Sequence, residues 1–83
     1  MDFTLRGKPF SLTYEDVVRA MQDVPAEPIK RYVVEVGGRI YPPKQVLAQV
    51  TSLPAIAFTT QDAYHILNRL GFSVAPVEEA THR

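Results

Sequence analysis

The 83-residue sequence predicts an α+β domain in which a small, mostly antiparallel sheet of about three strands packs with three helices. Three patterns support this fold class. A β-branched run meets a second run across a Gly-Gly pair, which is typical of a tight hairpin. Hydroxyl-x-x-Asp sequences occur twice, each followed by apolar residues at helical spacing. A Pro-Pro pair precedes a third segment with helical periodicity.

The start of the chain predicts an extended arm followed by a helix. Residues 3–12 place apolar side chains at alternate positions on both sides of a Gly-containing turn, and Pro9 restricts this segment to a sheet edge. Thr13 and Asp16 form the first hydroxyl-x-x-Asp pair, so we expect a helix that begins here and runs to about Asp23. Its apolar residues at helical spacing are Val17, Val18 and Met21.

The clearest local prediction is a hairpin. Residues 31–36 are rich in β-branched and aromatic side chains, Gly37-Gly38 predicts a turn of the primed type, and residues 39–41 return. Both faces of the first strand carry apolar side chains, with Tyr32, Val34 and Val36 on one face and Val33 on the other.

A second helix follows the hairpin. Pro42-Pro43 cannot continue a strand, and the second proline suits the first turn of a helix over residues 44–50. Residues 52–54 are expected to end this helix. The predicted buried side chains are Val46, Leu47 and Val50, and the outward ones are Lys44, Gln45 and Gln49.

The last helix has the most regular pattern. Thr59 and Asp62 form the second hydroxyl-x-x-Asp pair, and the helix is expected over residues 60–70, with Gly71 in a left-handed conformation after it. A closing strand is expected over residues 72–74. The predicted core stripe consists of Ala63, Ile66, Leu67 and Leu70.

These elements form one domain, which we place at residues 1–75. Residues 76–83 lack apolar periodicity beyond Val77 and are expected to be a frayed tail in which Glu78 and Glu79 serve as solubilising charge. At this length the chain supports a single small core and leaves little room for an elaborate catalytic cavity.

Composition excludes several classes of function. Nine basic and nine acidic residues give a formal net charge of zero, so a basic site for nucleic acid must be local. Without cysteine, and with only two histidines, the chain is expected to hold no metal and no cofactor, and no small-molecule substrate is evident. No apolar run is long enough to span a membrane and no signal sequence is evident, so we expect a cytoplasmic protein.

Catalytic patterns are weak, and we predict that the protein is not an enzyme. Gly37-Gly38 ahead of Lys44 does not match a phosphate-binding loop, because the intervening prolines remove backbone donors. Asp62 and His65 lie three residues apart on one helix, but Asp62 is more simply explained as a helix cap.

Part of the chain resembles a known bacterial module. The residues concerned are Tyr32-x-Val34-x-Val36-Gly37-Gly38-Arg39-x-Tyr41-Pro42-Pro43-Lys44-x-Val46, then Phe58-Thr59, and later Leu67-x-Arg69-Leu70-Gly71-Phe72-x-Val74. This string, about half of the chain, is similar to the N-terminal module of McrA-type HNH endonucleases, which restrict modified DNA. The histidines and metal-binding residues of the HNH nuclease motif are absent from this sequence. The resemblance therefore implies an accessory module that recognises nucleic acid without cutting it.

Two basic residues near the hairpin are candidate DNA contacts. Lys44 lies at the first turn of the second helix, where the backbone favours an anion, although its stem could instead simply cover Tyr41. Arg39 follows the Gly-Gly turn and, with Lys30 and Arg31, could form a basic strip. Edge charge that prevents aggregation explains this strip equally well.

Polar side chains on the last helix are the remaining candidates. The expected outward set is Gln61, His65, Asn68 and Arg69. Amides and a guanidinium can bond base edges or phosphates, but a solvated helix face is the ordinary alternative. Tyr32 and Tyr41 could stack on bases, although aromatic residues of a small sheet are more often core. The connector over residues 52–59 is too long for a helix-turn-helix.

The resemblance to McrA-type modules, together with these candidate contacts, implies a non-catalytic DNA-binding module of a bacterial restriction or defence system. The alternative is a protein-interaction or self-association module, with a partner protein or a second copy docking on the apolar loop over residues 53–58 or on an open sheet edge. For that loop, a lid folded over the core is the favoured interpretation.

Overall fold

The computed structural model describes residues 1–29 and 31–77. The elements, in chain order, are β1 Asp2–Leu5, β2 Lys8–Ser11, α1 Tyr14–Ala20, β3 Tyr32–Val36, β4 Arg39–Tyr41, α2 Pro43–Thr51, a 3₁₀ turn at Ala55–Ala57, α3 Thr60–Leu70 and β5 Val74–Pro76. The predicted α+β class, with three helices and small antiparallel sheets, is confirmed.

The strands form two antiparallel sheets. The N-terminal arm is a hairpin of its own, in which β1 pairs with β2 and Phe3 lies opposite Phe10. The main sheet has the order β4-β3-β5, so β3 is its central strand. Positive φ angles of 60° at Gly37 and 84° at Gly38 make the tight turn between β3 and β4, as the Gly-Gly pair predicted.

The core lies between the helices and one face of the main sheet. Val34 and Val36 are buried on that face. The opposite face carries the exposed Glu35 and Ile40 and also Val33, which is buried. The four predicted core residues of α3 are all buried: Ala63, Ile66, Leu67 and Leu70. Leu5 brings the N-terminal hairpin into the same cluster. Burial of these side chains is the main stabilising contribution to a domain of this size.

Both predicted capping boxes are present. Thr13 Oγ1 accepts from the Asp16 N–H at 3.1 Å, and the Asp16 carboxylate accepts from the Thr13 N–H at 2.9 Å. The bond from the Thr13 backbone N–H, followed by the Thr13 side chain, holds the pKa of Asp16 below its usual value. Thr59 and Asp62 form the same pair of bonds at the start of α3. Local sequence therefore determines where these two helices begin.

Two predicted boundaries are corrected. Helix α1 ends at Ala20 rather than near Asp23, because the chain turns so that the carbonyls of Met21 and Val24 face the hydroxyl of Tyr41. The closing strand covers Val74–Pro76 rather than residues 72–74.

The shift of the closing strand has a local cause at the end of α3. The N–H of Phe72 donates to the carbonyl of Leu67 at 3.0 Å, which completes the helix end around Gly71, whose φ is 109°. Pairing then begins two residues later, and Pro76 lies opposite Tyr32. The expected frayed tail over residues 76–83 thus begins within β5, and residues 78–83 lie outside the described part of the chain.

Candidate nucleic-acid interface

A groove of about 790 Å³ lies at the base of the main hairpin. It is formed by the connector after α1, the start of β3, the start of α2 and the loop before α3. Proline side chains supply much of its apolar wall: Pro25, Pro28, Pro42, Pro43 and Pro54. Because proline fixes φ, the backbone of these walls has little conformational freedom. The protein therefore loses little conformational entropy when a ligand binds in the groove.

The connector wall is held in place by Tyr41 and Gln45. The Tyr41 ring is fully buried, and its hydroxyl lies 3.1 Å from the carbonyl oxygens of both Met21 and Val24. The Gln45 amide donates to the carbonyl of Pro25 at 2.8 Å and accepts from the N–H of Glu27 at 2.9 Å. These contacts fasten the connector to the hairpin and to α2.

Burial therefore decides between the two interpretations of Tyr41. A ring with no exposed surface cannot stack on a base, so Tyr41 is a core residue that positions the groove wall.

Among the described residues, Tyr32 is the aromatic residue that lines the groove. Its side chain is half-buried, and its ring meets that of Tyr64 on α3 edge to face, with centroids 6.0 Å apart. This contact helps to hold the ring in place, while part of the side chain stays accessible. Tyr32 therefore offers a positioned aromatic surface of the kind on which bases stack.

Two cations line the same groove. Lys44 is half-buried at the second residue of α2, and Arg31 is exposed immediately before β3. Neither side chain forms an ion pair with an acidic residue among the described residues. Both charges therefore remain available to an anionic ligand.

The start of α2 adds to this electrostatic character. Pro42 provides no side-chain cap, and the first turn contains no acidic residue. Pro43 has no N–H, and the N–H of Gln45 donates to the carbonyl of Pro42 at 3.0 Å. Among the first donors of α2, the backbone N–H of Lys44 is thus the one without an intrahelical acceptor.

The predicted contacts on α3 form a second surface. Gln61, His65, Asn68 and Arg69 are all exposed, opposite the buried stripe. Thr60 of the same helix lines the groove, so this surface borders it.

Arg39 is placed apart from Lys44. It is exposed at the tip of the hairpin and pairs with Val36, whereas the groove lies at the hairpin's base. The predicted basic strip is therefore interrupted, because Arg39 and the groove lie at opposite ends of β4. Arg31 rather than Arg39 shares the groove with Lys44. Lys30, the other member of that strip, lies outside the described residues.

The two residues considered for catalysis, Asp62 and His65, make contacts within α3 and its cap. The Asp62 carboxylate accepts from the N–H of Thr59 at 3.0 Å, as its interpretation as a cap requires. His65 is exposed, and its ring lies against that of Tyr64, with centroids 5.9 Å apart. Within the described residues, no group of three His, Asp or Glu side chains is placed to hold a metal ion. No helix in the same part of the chain is long and apolar enough to cross a membrane.

The apolar loop before α3 is divided between core and surface. Phe58 is buried, with 4% of its surface exposed, as a lid over the core would be, but Ile56 is 85% exposed. The guanidinium of Arg6 fixes this loop, because its Nε donates to the carbonyl of Ala57 at 2.6 Å.

Comparison with known proteins places the chain in a family. The model of the SCO5918-like family matches residues 3–83. The chain belongs to this family. A search of curated proteins gave no match, and neither did a search of solved structures. The family match includes the groove, α3 and the N-terminal hairpin alike.

Proposed function

We propose that this member of the SCO5918-like family is a non-catalytic DNA-binding module that works in a bacterial restriction or defence system. The observation that supports binding best is the groove that Tyr32 lines together with two cations without acidic partners, Arg31 and Lys44. A groove lined by an aromatic ring and by cations suits nucleic acid, because cations bind phosphates and the ring stacks on a base. The restriction or defence context rests on the sequence resemblance to McrA-type modules.

Local charge is sufficient for this role. The formal net charge of zero means that long-range attraction contributes little, so binding depends on short-range contacts to a few phosphates. A module of this kind is expected to bind with a shallow salt dependence and to be modest in affinity on its own.

The α3 surface extends the proposed interface. Gln61 and Arg69 carry groups that bond base edges and phosphates, and the surface they share with His65 and Asn68 borders the groove at Thr60. Arg39 at the hairpin tip would add a separate phosphate contact on a longer DNA.

The test is a fluorescence-anisotropy titration of short labelled DNAs, unmodified and base-modified, at two salt concentrations. Lys44→Ala is expected to weaken binding and to reduce the slope of log affinity against log salt by about one phosphate contact. Lys8→Ala is the matched control, because Lys8 is an exposed cation on the separate N-terminal hairpin. An unchanged salt slope in Lys44→Ala would remove Lys44 from the interface, and no DNA binding at low salt would overturn the proposal.

A second candidate function is docking onto protein. Ile56 is 85% exposed on a turn that Arg6 anchors, and Pro54 and Ala55 beside it are also exposed. A fixed apolar projection of this kind suits insertion into a hydrophobic pocket of a partner. Sedimentation at increasing concentration tests the self-associating form, which a concentration-independent monomer would contradict.

A further inference from the structure

We propose that the groove at the hairpin base holds a single unstacked nucleobase on the ring of Tyr32, so that the ligand is single-stranded or locally unpaired DNA rather than an intact duplex. This inference rests on the proposed DNA-binding function and specifies the form of DNA that the groove accepts.

Shape is the first reason. A DNA-reading helix enters a groove of the duplex, so a protein that reads duplex DNA presents a convex element. The surface at Tyr32 is instead concave, and residues of the connector and of the start of α2 line it. A paired and stacked base cannot enter such a site, whereas an unpaired base can be placed against an aromatic ring.

The functional groups in the groove fit the parts of one nucleotide. Tyr32 provides a face for the base, and Lys44 and Arg31 provide charge for the flanking phosphates. Gln49 is exposed in the same groove and has an amide that can both donate to and accept from a base edge. Glu27, also exposed there, carries a carboxylate of the kind that accepts from an exocyclic amino group.

The Gln45 amide, by contrast, already has a partner for each of its two polar atoms. It bonds the connector through both its oxygen and its nitrogen, at 2.9 and 2.8 Å. Gln49, one helical turn further along α2, makes no such bond within the described residues. Gln45 thus has a structural role, and Gln49 is the amide left for a ligand. Substitution of Gln45 should therefore lower stability, whereas substitution of Gln49 should lower DNA affinity.

The experiment compares three labelled DNAs of matched sequence: a single strand, a perfect duplex and a duplex with one unpaired central base. The wild-type protein is expected to bind the single strand and the unpaired duplex more tightly than the perfect duplex. Tyr32→Phe keeps the ring and should preserve this preference. Tyr32→Leu keeps apolar packing against the core but removes the aromatic face, and should weaken binding of the first two DNAs by about 5- to 150-fold.

Separate control measurements show whether each variant is folded. Circular dichroism and thermal unfolding of the Leu and Phe variants establish whether each is folded. Gln49→Ala gives a further test, because this exposed position on α2 should tolerate the change while affinity for the unpaired base falls.

The outcomes separate this inference from the function on which it rests. Preference for the perfect duplex, or affinity unchanged in folded Tyr32→Leu, would overturn the unstacked-base site and leave DNA binding intact. Absence of binding to all three DNAs at low salt would overturn the proposed function itself. Saturable binding of a proline-rich peptide in the groove, without DNA binding, would also overturn both, because an aromatic groove with proline walls can accept such a peptide.

Discussion

Helices α2 and α3 begin in opposite ways. At the start of α3, Thr59 and Asp62 satisfy each other's backbone N–H groups at 3.0 and 3.1 Å. At the start of α2, Pro42 supplies no side-chain cap and Lys44 places a positive charge where the helix dipole disfavours one. The first helix start is satisfied within the chain, and the second is left open toward the groove. The difference indicates that α3 is built for stability at its start, whereas α2 gives up some local stability at the surface proposed to bind DNA.

The largest expected effect comes from the contact that holds the connector opposite α2. Tyr41→Phe removes a buried hydroxyl that lies 3.1 Å from the carbonyls of Met21 and Val24. The free energy of unfolding should fall by about 1–3 kcal/mol, because the Val24 carbonyl loses its donor and the Met21 carbonyl keeps only the N–H of Val24. Urea denaturation measures this loss, and Tyr14→Phe is the control because Tyr14 is 49% exposed. Equal stability of the two variants would mean that the Tyr41 hydroxyl does not hold the connector.

The satisfied start of α3 should be the next most sensitive position. Thr59→Ala removes the acceptor of the Asp62 N–H and should lower the free energy of unfolding by about 1 kcal/mol. Thermal unfolding checks this value. DNA affinity should stay unchanged in the folded variant, because the Thr59 hydroxyl bonds the first turn of its own helix. A large loss of affinity would show that the starts of α2 and α3 do not differ in function.

A substitution at the open start of α2 should raise the free energy of unfolding rather than lower it. Lys44→Gln removes a cation from the first turn and should raise the free energy of unfolding by about 0.3–1 kcal/mol. DNA binding should weaken in the same variant. Lys8→Gln, an equal change of charge on the N-terminal hairpin, should alter neither quantity much. A loss of stability in Lys44→Gln would indicate that Lys44 has a structural partner in the native protein.

The smallest effect concerns the start of α1, which is satisfied in the same way as α3. Hydrogen bonds from Thr13 hold the pKa of Asp16 below its usual value of 3.8, so the folded state favours the carboxylate. This contribution to stability is present above pH 3.8 and is lost as pH falls through the lowered pKa of the folded state. Asp16→Asn should therefore show a weaker loss of stability on the acid side. Unfolding curves across this pH range measure the difference, and identical acid sensitivity would contradict the assignment.

Sequence predicts the helix starts, the hairpin and the α3 stripe because each depends on residues a few positions apart. The capping bonds join residues three apart, and the hairpin turn depends on Gly37 and Gly38 alone. The predicted end of α1 was wrong because the contact that determines it is distant in sequence. The hydroxyl of Tyr41 lies 20 residues from the Met21 carbonyl along the chain.

The groove was not predicted for the same reason. It is assembled from segments between Val24 and Thr60, and periodicity within any one segment gives no sign of it. The sequence did indicate Lys44 and named Tyr32 as a possible stacking residue, but gave no basis for preferring Tyr32 over Tyr41. Burial makes that distinction, since Tyr41 has no exposed surface.

The central claim is that DNA binds in the groove beside the open start of α2. A titration of the ¹⁵N-labelled protein with a short single-stranded DNA, followed by two-dimensional NMR, tests it most directly, since a 9.3 kDa chain suits this method. The account predicts saturable shift changes concentrated at the backbone amides of Tyr32, Lys44 and Gln49, with those of the N-terminal hairpin unchanged. Shift changes confined to the outward face of α3 or to the hairpin tip at Arg39, or no change at all, would contradict it.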